Sequence, residues 1–211
     1  MLYFNLAILI AAWDELVVSR YVCPFERNEK MNHRHILWIT RTAVLIALLI
    51  SAQVVTRPLG QLVTGSLVNL ILAVSVMAAG LPTGLSVAVI SPFFAQLFGV
   101  IPPLVQIIPV MAAGNAVYVL VWHFVGKRAF INKYAPSITA LVIAAACKFA
   151  LLFIGVVHII LPIFNDRLAP PQAAAITAAF SVTQLFTALI GGTLAILALP
   201  VIKKATGSDK K

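Results

Sequence analysis

The chain is patterned as apolar runs of about twenty residues, separated by short linkers that carry helix breakers. From Met31 onward six runs stand out, at roughly 36–55, 62–79, 83–99, 104–125, 136–161 and 172–200. A helix rises 1.5 Å per residue, so twenty residues cross about 30 Å of hydrocarbon. The linkers read "TRPLG" (56–60), "GLPTG" (80–84), "GVIPP" (99–103), "GKRAFINKYAP" (126–136) and "NDRLAPP" (165–171). Gly and Pro clusters of this kind stop helices and turn the chain. A membrane barrel would show short segments of alternating polarity instead. The pattern predicts an all-α integral membrane protein with six transmembrane helices and both ends on one side.

Composition agrees with the pattern. The chain is 62% hydrophobic and only 10% charged, with a mean hydropathy of +1.04. The net charge is +9, and its placement gives an orientation. His33, Arg34, His35 and Arg41 flank the first run, Lys127, Arg128 and Lys133 lie between the fourth and fifth, and Lys203, Lys204, Lys210 and Lys211 follow the sixth. The opposite loops hold only Arg57 and the pair Asp166/Arg167. Basic residues collect on the cytoplasmic side, so both termini are expected in the cytoplasm, with loops 56–61, 99–103 and 162–171 outside. The charge is thus a matter of topology rather than of nucleic-acid binding. Cys23 and Cys147 have no metal-ligand spacing and imply no disulfide.

Residues 1–30 stand apart from the membrane domain at 31–211. "LYFNLAILIAAW" is too short to span comfortably, and four of the six acids follow it. No basic segment precedes it, so it is a poor signal peptide. Met31, followed by a basic stretch and a clean first run, reads as the native start of translation. The competing reading is an amphipathic segment at the inner surface.

On this topology the polar side chains can be placed by depth. Gln53, Gln61, Thr64, Gln96 and Gln106 fall near the outer ends of their runs, and Asn69, Asn115 and Lys148 near mid-depth. Thr177, Ser181 and Gln184 lie in the outer half of the sixth run, where with Ala188 and Gly191 they recur along one helical face. Asn115, Tyr118 and Trp122 do the same in the fourth. The inner half is almost wholly apolar, with His123 as its deep polar residue. A channel or proton relay needs polar groups through the full thickness. A pocket open to the outside needs them on one side only.

Lys148 poses the sharpest question. It stands in "ITALVIAAACKFALLFIGVV" (138–157), and no acid occurs between Glu29 and Asp166. A buried cation needs a partner. Three answers are open: an anionic ligand arriving from outside with Arg57 at the rim, a neutral or water-solvated lysine, and a lysine bonded to helix carbonyls or to an anion on another subunit.

Several stretches resemble the substrate-capturing S components of energy-coupling factor (ECF) vitamin transporters. "RPLGQLVTGSLVNLIL" (57–72), "SPFFAQLFG" (91–99) and "PVMAAGNAVYVLVW" (109–122) are similar to that family's helices 2, 3 and 4. "TAVLIALLISAQ" (42–53) carries Ala43 and Ala47, similar to the small-residue pattern through which S components dock on the shared coupling subunit. The "GSLVN" and "GN" segments and the demand for an anion look most like the pantothenate-type members. The resemblance covers roughly 31–204. It implies a six-helix bundle, a vitamin pocket near the outer surface, an outer lid after helix 1, and partners in the form of a transmembrane coupling subunit and two ATP-binding-cassette ATPases. The partners would use the ATP; no cofactor is expected in this chain.

The expectation is therefore a vitamin-binding subunit in the cell membrane, for pantothenate or else for folate, riboflavin or pyridoxine. Its candidate site residues are Lys148, Asn115, Asn69, Arg57, Gln61, Gln96, Gln184 and Tyr118, with Ala43 and Ala47 for docking. No enzyme constellation, phosphate-cradling motif or metal cluster is visible. A stand-alone secondary transporter is the rival, but it would need acids or broken helices at mid-depth.

Overall fold

The computed structural model describes residues 33–99, 104–126, 135–164 and 168–205. Residues 1–30, with the expected start at Met31, lie outside the described residues, as does the Asp166/Arg167 pair. Every described element is a helix: α1 (His33–Thr56), a 3-10 turn (Arg57–Leu59), α2 (Gln61–Ala79), α3 (Leu81–Leu97), α4 (Ile107–Gly126), α5 (Ala135–Leu152), a π-helical segment (Phe153–Ile160), α6 (Leu161–Phe164), α7 (Pro170–Phe180) and α8 (Val182–Ala205). Five stretches are long and apolar enough to cross a membrane: His35–Leu59, Gln61–Ala79, Ile107–Gly126, Pro136–Phe164 and Pro170–Ile202. Leu81–Leu97 is a shorter apolar helix. The outer surface of the bundle is correspondingly apolar, with Ile39, Val55, Leu97, Ile163 and Leu197 all more than half exposed. That surface suits hydrocarbon rather than water. The described residues are all helical, and five of their stretches have the length and apolarity of a membrane span.

Tight turns join the early helices. Gly60 and Gly80 have φ of 87° and 95°, a region open to glycine at little cost. Pro58 and Pro82 each stand in the first turn of their helices, where a missing N–H is tolerated.

α2 is the central helix. Of the apolar stretch in α2, 56% of residues are buried, against 11% in α1, which lies at the periphery. α2 packs most extensively on α8, and α4 on α5. The α2–α8 seam is close because small residues line it: a Cβ on Gly191 would overlap the Ser66 carbonyl, and one on Gly65 would stand 2.9 Å from Thr187 Cγ2. The main core runs through Leu49, Leu72, Val76, Val87, Val119, Trp122 and Ala144. A second, separate cluster of Leu104, Ile107, Leu152, Val156, Ile160, Ile176 and Phe180 packs the π segment against α4 and α7.

Two long runs are not the single straight helices that the sequence pattern predicts. The fifth changes to a π-helix at Phe153. The sixth breaks at Ser181, where φ is −95° and ψ −136°. Straight, the 33 residues from Pro170 to Ile202 would be about 50 Å long, more than a bilayer's hydrocarbon. The break also ends the predicted face: Gln184, Ala188 and Gly191 are buried, whereas Thr177 and Ser181 are only half-buried and bond to Ala173 O and Ala178 O of their own helix.

Candidate functional site: a lysine held by two amide oxygens

Lys148 is 3% exposed, in the last turns of α5. Its Nζ donates to Asn69 Oδ1 at 2.6 Å and to Asn115 Oδ1 at 2.7 Å. The ring of Tyr118 lies 5.4 Å from the same Nζ, within cation–π range. The described residues contain no Asp or Glu. Two amide dipoles therefore solvate the lysine and none of these contacts cancels its charge.

Each asparagine is aimed by a bond on its nitrogen side. Asn69 Nδ2 donates to Gly65 O at 2.9 Å and to Thr187 Oγ1 at 3.4 Å, which leaves Oδ1 for the lysine. Asn115 Nδ2 donates to Ala88 O at 3.5 Å, across to α3. That carbonyl is available for a reason written in the sequence. Its helical partner would be the N–H of residue 92, and residue 92 is proline. Pro92 thus frees the acceptor that orients Asn115, and Asn115 in turn meets Lys148.

A cavity of about 30 Å³ opens beside this centre. It is lined by Gln53 of α1; Gln61, Thr64, Gly65, Val68 and Asn69 of α2; Ser91 and Pro92 of α3; Met111 and Asn115 of α4; Lys148 and Leu152 of α5; and Gln184 of α8. By that measure there is room for about two water molecules. One end lies near the 3-10 turn, because Gln53 and Gln61 flank it. Thr56 and Thr64 tie the two sides of that turn together, Thr64 Oγ1 donating to Thr56 O at 2.9 Å and Thr56 Oγ1 to Ala52 O at 2.6 Å. On α8, Gln184 Nε2 bridges the break at Ser181 by donating to Ala179 O at 3.0 Å.

Of the eight predicted site residues, Lys148, Asn115, Asn69, Gln61 and Gln184 line the cavity. Tyr118 sits behind Lys148, with its hydroxyl donating to Ala188 O at 3.3 Å. Arg57 and Gln96 are not part of the lining. Arg57 is exposed and reaches Phe98 O at 3.4 Å, at the end of α3, where a cation suits the helix terminus. Gln96 is half-buried, and its Oε1 is buried without a hydrogen-bond partner. Gln53, Thr64, Ser91, Met111 and Leu152 complete the lining. Gln53 and Thr64 were legible as polar residues at run ends, and Ser91 had a signal in standing just before a proline inside an apolar run.

The opposite end of the bundle, beyond Gly80, is not purely apolar. Thr42, Ser75 and Thr83 are buried there. They are satisfied within the protein: Thr42 Oγ1 donates to Trp38 O at 2.7 Å, with Thr83 Oγ1 3.3 Å away, and Ser75 Oγ donates to Leu72 O at 2.7 Å. Hydroxyls that back-bond in this way are packing features. Ala43 and Ala47 are exposed on α1. Among the described residues no group of three His, Cys, Asp or Glu side chains could hold a metal ion. No family model, curated protein or solved structure matches the chain.

Proposed function

We propose that this chain is the substrate-binding membrane subunit of an ATP-driven vitamin importer of the ECF type, and that its ligand is a small anion such as pantothenate. The observation that carries the reading is Lys148, buried beside a polar cavity with only amide oxygens for partners. An ammonium has three N–H donors. Two are used, and a ligand carboxylate supplies both the third acceptor and the missing negative charge. A stand-alone transporter would place a coupling-ion site at this depth, and the run from 30 to 165 carries no carboxylate to build one.

In this reading Leu81–Leu97 is the third of six membrane spans, both ends are cytoplasmic, and the protein resides in the cell membrane. The distribution of Lys and Arg supports that orientation. The cavity then opens toward the outside. A vitamin is larger than two waters, so it enters after the Arg57 end has widened; the resemblance assigns that movement to the loop after helix 1. The exposed Ala43 and Ala47 dock on the coupling subunit, and two ATPases supply the energy.

The deciding experiment is purification followed by identification of the co-purifying small molecule, with equilibrium binding of pantothenate and of pantothenol, its alcohol counterpart. Binding of the acid at least tenfold tighter than the alcohol is expected. Equal binding, or a neutral co-purifying molecule, would remove the basis of the assignment.

A further inference from the structure

α7 is lightly held. Of its 11 residues only Ile176 and Phe180 are buried, and it packs on α8 and the π segment. Its side-chain hydrogen bonds stay local: Thr177 Oγ1 donates to Ala173 O, and Gln172 Oε1 accepts from the Ala169 N–H. The helix breaks behind it at Ser181, and Gln184 of α8 reaches back across the break to Ala179 O at 3.0 Å. Ile176 and Phe180 do not join the main core. They belong with Leu152, Val156 and Ile160 to the second cluster, which among the described residues takes nothing from α1, α2, α3 or the 3-10 turn. Leu152 also lines the cavity, as does Met111, which packs on the same cluster. Gln184 lines it too. The side chain that ties α7 down and part of the cavity's apolar wall are therefore shared between the cavity and the packing of α7.

We propose that α7 is a hinged flap: it swings about Ser181, leaves the π segment and lets Leu152 and Met111 draw back, which turns a space for two waters into room for a ligand. Gln184 is its latch. The proposal rests on the reading of this cavity as the ligand site, whereas the hinge itself is a property of the ligand-free chain. Widening at the Arg57 end opens a mouth but leaves this wall in place, since that turn has no part in the second cluster. A continuous helix resists such a swing through its ladder of hydrogen bonds. At Ser181 the helix is interrupted, and a few residues at the ends of two elements absorb the change in φ and ψ. Leaving the π segment costs little in a bilayer. Ile176 and Phe180 then meet lipid tails as apolar as the cluster they leave, so packing is lost but no apolar surface turns to water. A ligand that fits only the displaced state draws the population toward it.

The test is a distance measurement between paired spin labels on the full chain in lipid nanodiscs, with Cys23 and Cys147 replaced by serine. One pair joins α7 to α3, through cysteines at the exposed Gln172 and Val89; the control pair joins α3 to α5, through Val89 and Val142. In the ligand-free protein Gln184→Leu is expected to raise the displaced fraction of α7 about threefold or more and to leave the control distance unchanged. Phe180→Ala, which removes an anchor rather than the latch, should do the same. Saturating pantothenate should shift α7 in the same direction. An α7 distance that neither substitution moves would overturn the proposal, as would a control distance that moves equally, because the whole bundle would then be loosening. Pantothenate that binds without moving α7 would also overturn it. If pantothenate does not bind, the ligand assignment fails by itself, and the two substitutions in the ligand-free protein decide whether the flap exists.

Discussion

Lys148→Met keeps the apolar stem and removes the charge. If the partner of Lys148 is a ligand carboxylate, affinity for the acid should fall by about 1.5–3 kcal/mol, the worth of a hydrogen bond to a charged group. Affinity for the alcohol should change far less, and isothermal titration of both compounds on both proteins reads the difference. Equal losses would show that Lys148 does not sense the anion. Asn115→Asp asks the converse question. It sets a carboxylate where an amide oxygen now stands 2.7 Å from Nζ. The pair then neutralises itself, so the acid should lose its advantage over the alcohol while the ligand-free protein stays folded with an unchanged or higher melting temperature. An acid preference that survives in Asn115→Asp would mean that the charge of Lys148 is not what the ligand meets.

At the scale of elements, the α2–α8 seam decides whether the site exists at all. Asn69 reaches the lysine because α2 lies close enough to α8 for Thr187 to bond its amide. Gly191 permits that approach, since an added Cβ would strike the Ser66 carbonyl and stand 2.7 Å from Asn69 Cβ. The obstacle is partly backbone, so a rotamer change cannot relieve it. Gly191→Ala should therefore destabilise the protein by about 1–3 kcal/mol and weaken ligand binding together with it, read by thermal unfolding in detergent. A variant as stable as wild type would show that the seam has slack. The helix interruptions at Pro92 and Ser181 serve the same site, one by freeing Ala88 O for Asn115, the other by leaving Ala179 O to Gln184.

At the scale of the whole molecule, the proposed topology rests on the apolar exterior and on the placement of the basic residues. Cysteines placed at Gly60 and Ala169 should react with a membrane-impermeant reagent applied to intact cells, and one at Ala129 should not. Labelling of Ala129 from outside would reverse the topology and with it the direction in which the cavity opens. Docking belongs to this scale too. Ala43→Trp or Ala47→Trp adds bulk to an exposed face of α1 and should abolish uptake by blocking close helix approach. Binding of ligand by the purified subunit should be unaffected, because neither alanine lines the cavity. Loss of binding along with uptake would place these alanines in the bundle's own packing.

The sequence by itself determined the class of protein and the inventory of the site. Twenty-residue apolar runs admit only helices in a membrane, because a helix satisfies its own backbone where water is absent. Lys148, Asn69 and Asn115 were each legible as polar residues at mid-depth in otherwise apolar stretches. Tertiary structure decided what these residues do to one another. Asn69 and Lys148 are 79 positions apart, and no periodicity within one run reports which neighbour a helix faces. The same limit explains Gln96, placed at the site by depth alone and absent from the cavity lining. It explains the face from Thr177 to Gly191 as well. That face was drawn on a straight helix, and a break at a single residue, with no proline or glycine to announce it, rotated its two halves apart.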